Sequence, residues 1–426
     1  MSAPVLAIEG GPKAVTTPIG DARPMVSDLE REFVNRVLDD FGKASDNLGK
    51  FEEEFRDFVG AKHALCMCNG TATLHSAIFA AGARRGTEVI VPSVTWHASI
   101  TPILHCGATP VFCDIDPRTF CADPDDVRAR ITDRTVAIVV THVYGNPADM
   151  DAFLDIVAGT DIKLIEDASH AHGALWDGKF VGTLGHIGCF SMQGSKAVSA
   201  IEGGVATTDD DLLYDRMLML GQYGRCGSLA VTGQYADLRN MGLGIKYRAN
   251  PLAMAFARAQ LQRLPELNAK REAWFSRLDA ALDAIPGVCR QQVYPNARRG
   301  GMLLYAGTLD PDAIGAPVDA LLNALVAEGV STTPKITPYG YGVMHLEPLF
   351  NDFDFDGLGG PWGDFGPEVR HPYERGSLPV SERVHDTCFW LSTPIDPRPE
   401  WVDQVGDAFR KVVANADRIA KLAEAG

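Results

Sequence analysis

The residues best suited to chemistry in this 426-residue chain fall into four short segments. In GCFSMQGSKAVSAIEGG, Lys196 follows Ser191, Gln193, Gly194 and Ser195 in a small, polar stretch behind an apolar run. An amine placed there becomes a nucleophile toward carbonyl groups if partial burial lowers its pKa. Read alone, the same residue also fits a solvated surface lysine. In IEDASHAHG, Glu166 and Asp167 follow directly on the apolar run DIKLI. A carboxylate in that place is costly to bury without a positive partner. The partner is either a structural ion pair or a protonated ring nitrogen held by Asp167. His170 stands three residues on, where it fits a structural hydrogen bond or a contact with an oxygen of the same ring.

The third segment is Cys68-Asn69-Gly70-Thr71-Ala72-Thr73, at the end of one apolar run and the start of a helical pattern. Gly70 lets backbone approach a ligand closely, and Thr71 and Ala72 offer first-turn N–H groups to an anion. Many strand-to-helix turns look the same. In the fourth, VPSVTWHAS, Trp96 reads as core or as a flat platform for an aromatic ligand. All four lie at strand ends or in the turns after them, where open α/β sheets place their ligands.

The elements that must position these residues are legible as alternation. HALCMC, EVIVP, TPVFCDI, TVAIVVTH and DIKLIED read as buried strands, each followed by small or polar residues and a helix candidate. This predicts an α/β fold with a mostly parallel sheet flanked by helices. GCFSM and GGVATT follow at closer spacing, so part of the sheet departs from simple strand–helix–strand units. Ahead of the strands, residues 1–26 read as an extended arm. Ser27 with Glu30 forms a capping box, and Leu29, Phe33 and Val37 recur at helical spacing behind it. Asn250 and Pro251 mark a later helix start, and a second helix is predicted over about residues 267–284. The resulting division is an arm (1–26), a large mixed-sheet domain (27–265) and a smaller α+β C-terminal domain (266–426). Residues 339–379 read as a long loop, either a binding loop or a surface excursion.

Bulk properties narrow the classes. Apolar residues make up 46%, enough for a large interior. The formal charge of −16 would be repelled by a nucleic-acid backbone. Nine cysteines without disulfide or zinc spacing suit reduced thiols and no metal. Neither a signal-like start nor a membrane-length apolar run is present, so a cytoplasmic location is expected.

Together the four segments resemble the DegT/DnrJ/EryC1/StrS family, the sugar and aminocyclitol aminotransferases with the type I aspartate aminotransferase fold. The likeness runs from the N-terminal arm to about Leu264 and returns near LPVSE. It implies pyridoxal 5'-phosphate as cofactor, joined to Lys196 as a Schiff base. It also implies that Asp167 pairs with the pyridine nitrogen, His170 sits near the ring hydroxyl and Trp96 stacks on the ring. Gly70, Thr71 and Ser191 are implied as phosphate ligands, with Ala72 beside them. His97, Tyr144, Gln193 and Arg248 are the substrate candidates. In GIKYRANPLA, Lys246 stands where the family commonly has Asn, and Arg248 is retained. That segment implies a homodimer whose sites are shared, Lys246 reaching the neighbour's phosphate. The family's GEGG reads Ile201-Glu202-Gly203-Gly204 here.

The implied reaction moves an amino group from glutamine or glutamate to a keto-cyclitol or keto-sugar. An acidic, aromatic 339–379 segment tilts this toward a substrate without a nucleotide. Relatives that act as dehydratases replace the lysine with histidine, so Lys196 speaks for transamination. Elimination or epimerisation on the same fold, or a non-catalytic binding protein, are the rivals. Borohydride reduction of the cofactor-loaded protein should fix the label on Lys196. A label on another lysine, Lys246 for example, would contradict the assignment.

Overall fold

Seven apolar runs bounded by polar turns become the seven strands of one sheet. Its order is His63–Met67, Gly204–Thr208, Ile187–Ser191, Lys163–Asp167, Thr135–Thr141, Glu88–Pro92, Thr109–Cys113. The computed structural model describes residues 4–20, 26–238, 241–334, 343–351 and 372–425. Gly204–Thr208 pairs antiparallel with both neighbours, and every other pairing is parallel. The closely spaced GGVATT run is therefore where the simple alternation breaks, its connection from Ser191 carrying no crossover helix.

Alternate residues of each strand enter different cores, as a period of two requires. Cys66, Ile90, Val111, Ile138 and Leu164 join one cluster with the helix Asp46–Val59 and the start of the helix Pro251–Leu282. Leu65, Val89, Phe112, Val139 and Ile165 join the other, with the helices Gly70–Ala80 and Asp211–Gly221. The capping box at Ser27 forms as its sequence requires.

A four-stranded antiparallel sheet, ordered Val288–Arg290, Leu304–Leu309, Cys388–Ser392, Thr332–Pro334, carries a third cluster. Trp274, Leu278 and Leu282 enter it from the long helix. The predicted pair of helices is thus a single 32-residue helix with Pro265 inside it. A proline there costs about 3 kcal/mol. The apolar face continues through it, with Leu261, Leu264 and Leu267 buried, and that packing outweighs the lost hydrogen bond. On this grouping of cores we propose the division near residue 265.

In the described part of the arm Leu6 and Val15 are buried in the third cluster, so it lies on the chain's own C-terminal sheet unit. Glu328 organises the contact. Its carboxylate accepts from the N–H groups of Ala7 (2.8 Å) and Ala14 (2.9 Å) and pairs with Lys411 at 2.8 Å. Most of the 339–379 segment lies outside the described residues. Within its described part, His345 is buried between Ser93 (2.6 Å) and Glu382 (3.2 Å). Among the described residues no helix is long and apolar enough to cross a membrane.

One buried charge locks the sheet to the loop beyond it. Glu166 is fully buried, and its carboxylate accepts from the N–H groups of Gly182 (2.6 Å), Leu184 (2.8 Å) and Gly185 (2.6 Å). Its fourth partner is Nε2 of His142 at 3.0 Å. The other ring nitrogen of His142 accepts from the Ala148 N–H, so Nε2 carries the proton and donates. Glu166→Gln would turn an amide NH2 toward these donors. It should destabilise the protein by about 3 kcal/mol, read as a lower urea midpoint. An unchanged midpoint would show that the loop holds without the charge.

Candidate active site

Because neighbouring strand residues face opposite sides, Glu166 and Asp167 part company at the end of the same strand. Glu166 turns to the loop, and Asp167 lines a cavity of about 920 Å³ beyond the strand ends. Asp167 is 4% exposed. Its Oδ2 accepts from the Ser99 hydroxyl at 2.6 Å and its Oδ1 from the Ser169 N–H at 3.1 Å. Among the described residues no cation pairs with it. A buried carboxylate so placed is completed by a cation in the cavity, and a protonated pyridine nitrogen is one.

Lys196 lines the same cavity from the loop after Ile187–Ser191. The loop is held by Lys196 N–H to Gln193 O (2.8 Å), Ala200 N–H to Met192 O (2.7 Å) and Met192 N–H to Gly203 O (2.8 Å). Burial pushes the Lys196 amine down to about 8, while the Asp167 charge opposes that fall. A lysine so lowered is neutral in a large fraction of molecules at mildly alkaline pH. Ile201, in the family's glycine position, has φ of +66°. That left-handed conformation suits glycine and strains a β-branched residue by roughly 1–3 kcal/mol. Glycine is favoured there for its backbone freedom.

At the opposite wall, Asn69 caps the helix Gly70–Ala80, its side chain accepting from Ala72 N–H at 2.8 Å. Ala72 therefore gives its N–H to the cap and does not line the cavity, whereas Gly70, Thr71 and Ser191 do. The N-terminal end of a helix favours an anion such as a phosphate. A Cβ on Gly70 would lie 2.6 Å from Cβ of Ser191, so the glycine lets the helix end sit against that strand.

His170 and Trp96 complete the cavity's aromatic and imidazole groups. Burial first, then Lys196, holds the His170 imidazole well below its ordinary pKa, so the ring is neutral. Nδ1 accepts from the Tyr144 N–H at 3.3 Å, which leaves the proton on Nε2 as a donor. Tyr144 lines the cavity in a left-handed conformation, φ +57°, with its ring stacked on His170 at 5.9 Å. Gln193 lines it too, but its amide oxygen accepts from Ser195 N–H (2.8 Å) and Oγ (2.7 Å). His97 is half-buried beside Trp96 and is not among the lining residues.

Lys246 and Arg248 do not reach this chain's cavity. Both are exposed, while Tyr247 between them is tied inward by its O to Cys68 N–H (2.7 Å) and its hydroxyl to His75 (2.7 Å). Sequence reasoning missed Thr95, Ser99, Thr141 and Ser169, which surround Asp167. Small hydroxyl residues at strand ends carry no periodic signal. It also missed Leu303, Trp390 and Thr393, which reach the cavity from the second sheet.

Residues 26–354 match the DegT/DnrJ/EryC1/StrS aminotransferase family. The chain is 32% identical over 383 residues to the L-glutamine:scyllo-inosose aminotransferase of Streptomyces griseus, covering 87% of each. It is 35% identical over 349 residues to the GDP-perosamine synthase of Caulobacter vibrioides, covering 80% of this chain and 89% of the relative. Among solved structures, 3-amino-5-hydroxybenzoic acid synthase superposes with a TM-score of 0.78 at 28% identity, covering 94% of this chain and all of that one. With Lys196 in the cavity, this chain belongs to the DegT/DnrJ/EryC1/StrS family and is a pyridoxal-phosphate-dependent aminotransferase.

Proposed function

We propose that the chain transfers the amino group of L-glutamine to a keto-cyclitol, a polyol ring without a nucleotide. The charge of the cavity carries this reading. Among its described lining residues Lys196 is the one cation, against the carboxylates Asp167 and Glu202. Within this chain's own lining a diphosphate would find no countercharge besides Lys196, which is costly in a low-dielectric cleft. Hydroxyls line it instead, on Tyr144, Ser169, Ser331 and Ser392. They match the donors and acceptors of a polyol. The donor is taken from the relative in Streptomyces griseus.

Bound pyridoxal phosphate supplies a protonated ring that withdraws electrons from the substrate carbon. Asp167 would keep the proton on the ring nitrogen, and Trp96 would offer a flat face to the ring. His170 donates from Nε2 toward the ring oxygen. Gly70, Thr71 and Ser191 hold the phosphate. Nζ of Lys196 is the base that takes the proton from the substrate carbon and returns it. The nine free thiols suit a reducing cytoplasm.

The working unit on this reading is a homodimer with shared sites. Lys246 and Arg248 face outward. Ile201, Met241 and Leu243 on nearby segments are each at least half exposed, as residues of an interface would be. Lys246 then meets the partner's phosphate as a point charge, and Arg248 lies near the partner's substrate.

With L-glutamine as donor, a keto-cyclitol should give a kcat/KM at least about tenfold above that of a nucleotide-linked keto-sugar. The reverse ranking would overturn the substrate assignment. Subunit exchange between inactive Lys196→Ala and inactive Lys246→Glu proteins should restore about a quarter of wild-type activity, from hybrids with one intact site. Verified exchange without recovery would show that Lys246 does not act across the interface.

A further inference from the structure

Three hydroxyls stand in series beside Asp167, with Ser99 off the cavity wall and Thr95 and Thr141 on it. Ser99 Oγ lies 2.6 Å from Asp167 Oδ2, Thr95 Oγ1 lies 2.9 Å from Ser99 Oγ, and Thr141 Oγ1 lies 2.8 Å from Thr95 Oγ1. Each of the three residues is at least nine-tenths buried. They come from two strand ends. Thr95 and Ser99 follow Glu88–Pro92, and Thr141 ends Thr135–Thr141 directly opposite Asp167 in the parallel register.

Proton counting gives the series one direction. An ionised carboxylate only accepts, so the single Ser99 proton goes to Asp167. Ser99 must then accept from Thr95, and Thr95 must accept from Thr141. Hydroxyls aligned in this way polarise one another, and the last bond, to a charge, is the strongest. Ser99 does not line the cavity, so its influence passes through Asp167.

We propose that Ser99, backed by Thr95 and Thr141, is a positioning residue that holds Asp167 aimed at the cofactor's ring nitrogen. The proposal rests on the role given to Asp167 above. With Oδ2 held by Ser99 and Oδ1 by the Ser169 N–H, the carboxylate cannot rotate without losing both bonds. Its remaining lone pairs are left for the cavity. The hydroxyls also supply what a structural cation otherwise would, charge stabilisation without neutralisation. The carboxylate stays available to a cation that arrives with the ligand.

The test is a cofactor-binding titration of the apo-protein with pyridoxal phosphate, followed by visible absorption. It uses Ser99→Ala, Ser99→Thr and Thr95→Val, with Ser99→Ala repeated on Asp167→Asn. Ser99→Ala should weaken binding about tenfold and Thr95→Val about threefold, while Ser99→Thr retains near wild-type affinity. On the Asp167→Asn background, Ser99→Ala should change affinity less than twofold, because the charge it serves is gone. Thermal unfolding of each variant checks the fold, and Thr95→Val keeps the side-chain shape if Ser99→Ala is poorly folded. Unchanged affinity in folded Ser99→Ala would overturn the proposal, as would an equal loss in both backgrounds, which marks a packing role. Asp167→Asn with wild-type affinity and an unshifted absorption band would instead overturn the reading of Asp167, and this proposal with it.

Discussion

A carboxylate buried at the end of a strand, with no ion-pair partner among the described residues, is the constraint on which this molecule is arranged. Asp167 is held by a hydroxyl and one N–H group, and the cavity in front of it is where its countercharge must arrive. The sheet brings the other groups to the same edge. Parallel strands end on one side, so the turns bearing Trp96, Tyr144, His170 and Lys196 converge beyond them. The antiparallel strand Gly204–Thr208 returns the chain from the lysine loop. The helix Gly70–Ala80 presents its N-terminus to the cavity, a partial positive charge opposite a full negative one.

Much of this was legible because burial on both faces leaves a plain signature. Seven apolar runs of strand length, bounded by turns, can be little else. The division of labour between Glu166 and Asp167 was not legible. Both are carboxylates at one strand end, and only the side each faces separates a structural anchor from a site residue. Glu166 meets three N–H groups and a histidine, none of which a sequence pattern announces. The hydroxyls beside Asp167 were invisible for a related reason. Serine and threonine at strand ends are commonplace, and their meaning lies in contacts 46 and 68 residues apart in sequence.

Tertiary packing overrode local signals in two other places. Pro265 reads as a helix boundary, yet the helix from Pro251 to Leu282 runs through it, because its two ends belong to different cores that both need it. The N-terminal arm reads as extended and carries no periodic signal of its own. Glu328 is a buried carboxylate that needs donors, and the arm's N–H groups provide them. In both cases a buried group far along the chain decides what a local stretch does.

The balance at Lys196 follows from the same carboxylate. Burial favours the neutral amine and the Asp167 charge favours the ammonium, and the two leave it at about 8. On the proposed assignment, a ring cation bound at Asp167 cancels most of the negative field that the lysine feels. The attraction that raised its pKa is then weakened, while burial still favours the neutral amine. The amine is driven toward the neutral form that a base requires, and this happens when the cofactor ring is in place. The unpaired carboxylate thus serves two ends. On that assignment it would hold the ring's proton, and the ring cation paired with it would favour the neutral lysine, so the groups that fix Asp167 also bear on the readiness of Lys196.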